Sequence, residues 1–202
     1  MTLVFLLIAC GEQTKTKDFD AEDSVDGAEV KKGVKPQADE EVAVIETDYG
    51  NIVIELYPNI APRMVERFKK LISEGFYNGT TFHRIDPRLG IIQGGDPLSR
   101  DDDPRNDGSG SSNEPNLPAE FSDLLYERGA VGAARGTAAD SANSQFFITL
   151  KRQPAFDQRY TVFGRVIEGI NNADVISTAP IDPGTESRPA DKVVINRITL
   201  RK

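Results

Sequence analysis

The sequence predicts an all-β domain, a sheet closed into a barrel and capped by two α-helices, behind a flexible N-terminal leader. Three observations carry this reading. From residue 42 onward, short runs rich in β-branched and aromatic residues recur. Only two stretches place apolar residues at helical spacing. Residues 11 to about 40 are rich in Lys, Asp, Glu, Gly, Thr and Gln, and their few apolar residues show no sustained period. Such a segment buries too little surface to offset its ordering entropy. Many short strands with few helices favour closure, because closure removes exposed sheet edges.

The leader opens on MTLVFLLIAC. Residues 3–9 are uniformly apolar, far too short to span a bilayer, and match the apolar region of a secretory signal. Leu7-Ile8-Ala9-Cys10 resembles the lipobox of bacterial lipoproteins, whose signal is cleaved before a cysteine that then carries lipid. No Lys or Arg precedes the apolar run, which a start codon assigned too late would explain. The expected organisation is a signal peptide over 1–9, possible truncation included, an acidic tether over 10–40 and a folded domain over 41–202. About thirty flexible residues span roughly 30 Å, enough to hold a domain off a membrane. The resemblance implies lipid on Cys10 and a location in the bacterial envelope, facing the periplasm. Gly11 is not the aspartate that commonly marks inner-membrane retention, which points to the outer membrane.

Within the domain, Val42–Thr47 and Asn51–Leu56 read as strands joined through the turn Asp48-Tyr49-Gly50. Ala61–Ser73 reads as a helix: Pro62 suits its first turn, Val65, Phe68, Leu71 and Ile72 recur on one face, and Gly75 can end it. Strands follow at Thr80–Ile85, Ile91–Gln93, Ala130–Ala134, Gln145–Thr149, Thr161–Val166 and Lys192–Leu200, with a short helix at Gly169–Ser177. No internal repeat is evident.

Composition removes several function classes. The 202 residues suit one domain with a tail, and the net charge of −8 disfavours a nucleic-acid partner. Residues 11–41 carry ten acidic residues and five lysines, so much of that charge solvates the leader. One cysteine and one histidine exclude an intrachain disulfide and a multi-histidine metal site. A serine or cysteine hydrolase would have only His83 as its histidine base. Gly108-Ser109-Gly110 lacks the Lys-Ser/Thr of a phosphate loop. In the acidic segment 99–116, Asp103, Asp107, Gly108 and Glu114 echo a calcium loop, but Arg105 occupies a ligand position and no helix pair flanks it. It reads as a solvated insertion beside the groove, one that could tune which peptides enter. No metal and no cofactor are expected.

The chemistry concentrates in two segments. Phe82-His83-Arg84 is followed by Gln93-Gly94-Gly95-Asp96, and about fifty residues later by Ser144-Gln145-Phe146-Phe147-Ile148. Together, in this order and spacing, they resemble the signature of cyclophilins, the peptidyl-prolyl cis-trans isomerases. The resemblance covers roughly residues 41–202 and implies an eight-stranded antiparallel barrel capped by two helices. It also implies proline-containing polypeptides as partners, and a monomer is expected. An X–Pro amide rotates over a barrier of roughly 18–20 kcal/mol set by nitrogen–carbonyl resonance. At the twisted midpoint the lone pair returns to nitrogen and can accept a hydrogen bond, so catalysis needs a donor, a dry pocket and a grip on the peptide.

By resemblance, Arg84 is the catalytic donor, suited by its permanent charge and rigid fork. Gln93 holds substrate backbone, and Ile91 stands where a pocket methionine is usual. Strand alternation puts Gln145, Phe147 and Thr149 on one face and Phe146 and Ile148 on the other. The resemblance places Gln145 and Phe147 in the groove, with Phe147 against the proline ring and Phe146 in the core. Phe156 and Tyr160 match the pocket floor and rim, and Arg135 contributes backbone contacts, with its side chain a further candidate. His83 alternates away from Arg84 and reads as packing. Two positions depart from the family: Leu89-Gly90 stands where a pocket phenylalanine is usual, so that part of the wall is either missing or rebuilt by Leu89, and Ala155 stands where a tryptophan is common. The second implies weak cyclosporin binding. Together they leave open a non-catalytic module that binds proline peptides on the same scaffold.

Overall fold

The computed structural model describes residues 28–202. The expected signal, Cys10 and most of the expected tether therefore lie outside the described residues. The strands are β1 (Val30–Lys31), β2 (Val42–Thr47), β3 (Gly50–Leu56), β4 (Arg84–Asp86), β5 (Ile91–Gly94), β6 (Phe121–Ser122), β7 (Ala130–Ala133), β8 (Phe146–Thr149), β9 (Val162–Glu168) and β10 (Ile195–Arg201). The helices are α1 (Pro62–Ser73) and α2 (Ile170–Ser177).

Eight strands form one curled antiparallel sheet in the order β10-β2-β3-β9-β7-β8-β5-β4. The β2–β3 hairpin turns through Asp48-Tyr49, as its sequence predicts, with Val44 opposite Val53. The sheet's two edges meet through a single bridge, Thr81 opposite Val194, rather than a ladder. Phe82 N–H donates to the Val193 carbonyl at 2.8 Å and Ile195 N–H to the Thr80 carbonyl at 2.7 Å. The expected strand Thr80–Ile85 thus forms only from Arg84. Thr81 N–H is drawn off instead by Ser99 Oγ at 2.9 Å, so it cannot feed a ladder.

Helix α1 closes one end of the sheet. Its apolar stripe buries Met64, Val65, Phe68, Leu71 and Ile72. Phe68 meets Tyr77, Phe146 and Phe163 at ring-centroid distances of 5.2, 5.4 and 5.2 Å. Ala61 offers no side-chain cap. The Glu120 carboxylate supplies one from 56 residues away, accepting from Arg63 N–H at 3.1 Å and Met64 N–H at 3.0 Å. The helix ends where the amides of Gly75 and Phe76 return to the carbonyls of Ile72 and Leu71.

Of the tether expected over 10–40, the described residues 28–40 are docked on the domain. β1 pairs in parallel with β6, Val30 opposite Phe121. Lys31 Nζ donates to the Ile60 carbonyl at 2.7 Å, and Gly33 N–H to Asp123 Oδ2 at 2.7 Å. Asn59 bonds the backbone of Gln37 and Lys35, and Asp39 N–H reaches the Leu56 carbonyl at 2.8 Å. This strap docks through polar bonds, many of them at its own backbone groups, which composition does not reveal.

Candidate active site

Two apolar clusters divide the domain. The larger fills the space between sheet and α1 and includes Phe82, Ile85, Ile92, Phe146 and Ile148. The smaller lies on the opposite face of the same strands: Ile91, Tyr126, Ala130, Phe147, Phe156 and Val162, flanked by Leu89, Leu124, Ala134 and Tyr160. Strand alternation produces this division. On β8, Phe146 and Ile148 face the main core while Phe147 faces the second cluster.

Pairing of β4, β5 and β8 assembles the polar side. Arg84 stands opposite Gln93 on β5, and Gln93 opposite Phe147 on β8. Gln145 precedes β8 by one residue. Arg84, Leu89, Ile91, Gln93, Ala134, Arg135, Phe147, Phe156 and Tyr160 line one small cleft of about 80 Å³. Seven of the eight site residues expected in the domain thus converge on a single cleft, and the eighth, Gln145, bonds directly to Gln93.

Each wall has a physical support. Phe147 meets Phe156 at 5.5 Å and Tyr160 at 5.7 Å, both edge-on, and Phe156 meets Tyr160 at 5.1 Å. Arg84 is partly buried; its Nη2 donates to Asp86 Oδ2 at 2.9 Å and its Nη1 to Gln93 Oε1 at 3.4 Å. Arg135 lines the cleft, and its side chain is engaged within the protein. Its guanidinium bonds the carbonyls of Arg159, Gly136 and Thr137 and lies 4.7 Å from the centre of the Tyr160 ring. It holds the rim ring and turns its donors into the protein.

The departure at Leu89-Gly90 is filled. Leu89 lines the cleft. Its turn is held by Leu89 N–H to Asp86 Oδ1 at 3.0 Å, Gly90 N–H to the Asp86 carbonyl at 2.7 Å, and a bond from Gln153 Nε2 to the Leu89 carbonyl. Ala155 is exposed and adds no ring. His83 is buried, as expected from its alternation, with Gly108 against its ring. Burial pushes its pKa down to about 4, against the upward pull of the Asp96 charge.

Sequence reasoning missed Tyr126. Its ring is fully buried and stacks on Phe147 at 5.5 Å and 22°. It sits in a loop without strand or helix period, so no local pattern marks it. The acidic segment is mostly exposed, as a solvated insertion would be, and lies beside the groove, where Asn143 pins it. Asn143 Oδ1 accepts from Ser112 N–H and Oγ, and its Nδ2 donates to the Glu114 carbonyl and Asn116 Oδ1. Gly108, Ser109, Gly110, Ser111 and Asn116 then wall a second depression of about 340 Å³ that shares Gln93, Ala134, Arg135 and Gln145 with the cleft's surroundings. Among the described residues, no group of three or more His, Cys, Asp or Glu is placed to hold a metal.

Comparison with known proteins shows the family and the fold. The family model for cyclophilin type peptidyl-prolyl cis-trans isomerase/CLD matches residues 42–200. A probable peptidyl-prolyl cis-trans isomerase of Brucella suis is 38% identical over 159 residues, covering 77% of this chain and 81% of its own. Peptidyl-prolyl cis-trans isomerase-like 3 of Gallus gallus is 37% identical over 160 residues, covering 77% and 93%. Among solved structures, a cyclophilin type peptidyl-prolyl cis-trans isomerase of Cryptosporidium parvum, crystallised in the presence of the dipeptide Ala-Pro, matches with a TM-score of 0.71 at 28% identity. That match covers 80% of this chain and 99% of the other.

Proposed function

The chain belongs to the cyclophilin-type peptidyl-prolyl cis-trans isomerases, and from that premise we propose that Arg84 drives rotation of X–Pro bonds by donating to the prolyl nitrogen at the twisted midpoint. One observation carries the assignment: Arg84 shares a cleft of about 80 Å³ with the rings of Phe147, Phe156 and Tyr160. The proline ring enters that apolar cleft, against Phe147 and between Leu89, Ile91 and Phe156. Gln93 and Gln145 present amide groups to the flanking peptide. Twisting the amide returns the lone pair to nitrogen, and the guanidinium meets it only then. The interaction therefore stabilises the transition state more than either ground state. About 7 kcal/mol of such difference gives roughly 10⁵-fold acceleration. No covalent step is needed, and Arg84 keeps its charge at any working pH.

The cis–trans exchange rate of an Ala-Pro peptide, with and without protein, tests the assignment. Arg84→Ala is expected to lower the acceleration by about 10²-fold or more. Peptide binding with no Arg84-dependent acceleration would support the non-catalytic module instead. Leu89, by completing the wall, removes the main ground for that second reading.

We further propose that the clients are envelope proteins and that lipid on Cys10 anchors the enzyme to the outer membrane, facing the periplasm. The support is the apolar run 3–9 ending in Leu7-Ile8-Ala9-Cys10 and the polar segment that follows. Slow prolyl steps limit many folding reactions there as elsewhere. Metabolic labelling with a lipid precursor should mark the protein, and Cys10→Ser should abolish the label; a label that survives Cys10→Ser rules this anchor out.

A further inference from the structure

We propose that Asp96 is a positioning residue for Arg84, acting through the Gly108–Gly110 segment and the side chains of Gln145 and Gln93. The proposal rests on the reading of Arg84 as the catalytic donor and extends it to a carboxylate outside the cleft.

Asp96 is fully buried. Its Oδ1 accepts from Leu98 N–H at 2.8 Å, which satisfies the local turn. Its Oδ2 is given to residues far along the chain: it accepts from Gly108 N–H and, at 3.2 Å, from Gly110 N–H. A buried carboxylate needs several such donors to be tolerated. A Cβ on Gly110 would stand 2.1 Å from Asp96 Oδ1, so a side chain there would displace the carboxylate.

With their N–H groups held by Asp96, Gly108 and Gly110 turn their carbonyls to Gln145, whose Nε2 donates to them at 3.0 and 2.8 Å. Carbonyls only accept, so this end of the Gln145 amide must be its NH₂. Its Oε1 is thereby turned to Gln93, accepting from Gln93 Nε2 at 2.9 Å. Gln93 in turn must present its Oε1 to Arg84, whose Nη1 approaches at 3.4 Å while Nη2 is held by Asp86. A guanidinium only donates. The chain of bonds therefore has one direction, with a pure donor at one end and pure acceptors at the other. Flipping either amide breaks the bonds on both sides of it. The last link, at 3.4 Å, works together with the Asp86 bond to Nη2 to set the direction of the Arg84 fork. The acidic segment is thus part of the device that orients the donor.

A double-mutant cycle tests this, using kcat and KM for an Ala-Pro peptide in the wild type, Asp96→Asn, Arg84→Lys and the double variant. Asp96→Asn keeps the volume but sets an amide where one oxygen took two N–H groups. A small displacement of a catalytic group costs up to about 10²-fold; here about a tenfold fall in kcat is expected, with KM little changed. In the Arg84→Lys background, Asp96→Asn should cost nothing further, because the fork it aims is gone. The Nε–Hε resonance of Arg84 should also shift in Asp96→Asn. Wild-type kcat in Asp96→Asn, or an equal fall in both backgrounds, overturns the role of Asp96 while leaving Arg84 as donor. Arg84→Lys at the wild-type rate overturns both. Should Asp96→Asn fail to fold, Gly110→Ala breaks the same link from the other side, and the same cycle decides with the same expected and contrary outcomes.

Discussion

Tyr126 lies stacked on Phe147, 5.5 Å between ring centres and 22° from parallel, at a place left open by Gly132. A Cβ at Gly132 would stand 2.4 Å from Phe147 Cζ and 2.5 Å from the Tyr126 hydroxyl oxygen. The wall assigned to the proline ring is therefore set by a glycine on β7 and an aromatic from a loop. Gly132→Ala should push Phe147 into the cleft. Overpacking of this kind costs about 1–3 kcal/mol, and kcat/KM on an Ala-Pro peptide should fall about tenfold. Urea unfolding and the isomerisation assay check the two effects.

Leu89 is the residue that closes the cleft where the family usually has a phenylalanine. Leu89→Gly should raise KM and lower kcat/KM severalfold by opening the apolar wall, while changing the free energy of urea unfolding by only about 1 kcal/mol, since the side chain is only partly buried. Steady-state kinetics separates the terms.

The exposed Ala155 offers no indole beside Phe156. Cyclosporin should accordingly inhibit weakly, and Ala155→Trp should strengthen inhibition with little change in peptide turnover. Inhibition titrations of the two proteins measure this.

His83 makes stability depend on pH. Its folded pKa is pushed down to about 4 by burial, against an ordinary value of 6.5. Between those values the unfolded chain binds the extra proton and the folded chain does not. Stability is therefore lost as pH falls from about 6.5 to about 4, by on the order of 3 kcal/mol in all. His83→Gln should flatten that part of a plot of Tm against pH, leaving only the slope from carboxylates.

The Glu120 carboxylate caps α1 from a distant loop. Glu120→Ala should destabilise the domain by about 1–2 kcal/mol, through two unmet helix N–H groups and a lost charge at the positive helix end. The urea midpoint should drop without a change in slope. Asp123→Ala, which frees Gly33 N–H and loosens the strap, should cost about 1 kcal/mol.

Much of the site is legible in the linear chain. Phe146 and Phe147 fall on opposite sides of β8 because strand side chains alternate, and the two clusters honour that division. The α1 stripe and the β2–β3 hairpin follow from local period and turn chemistry. Arg84, Gln93 and Gln145 were recognisable as one donor-and-amide set through their order and spacing. Tyr126 was not, because a loop residue has no period. Nor was the docking of residues 30–39, because a polar strap bound through backbone groups looks like a free one.

The sequence by itself determined the alternation of strands and helices, the faces they bury and the chemical groups available at the site. Those follow from local sterics and from apolar side chains recurring at a strand or helix period. Only the tertiary structure decided that Leu89 completes the cleft, that Arg135 turns inward, that Asp96 reaches Gly108 and Gly110, and that Glu120 caps α1. Each of these joins residues through long-range hydrogen bonds or packing, whose partners are chosen by how the curled sheet brings its loops together.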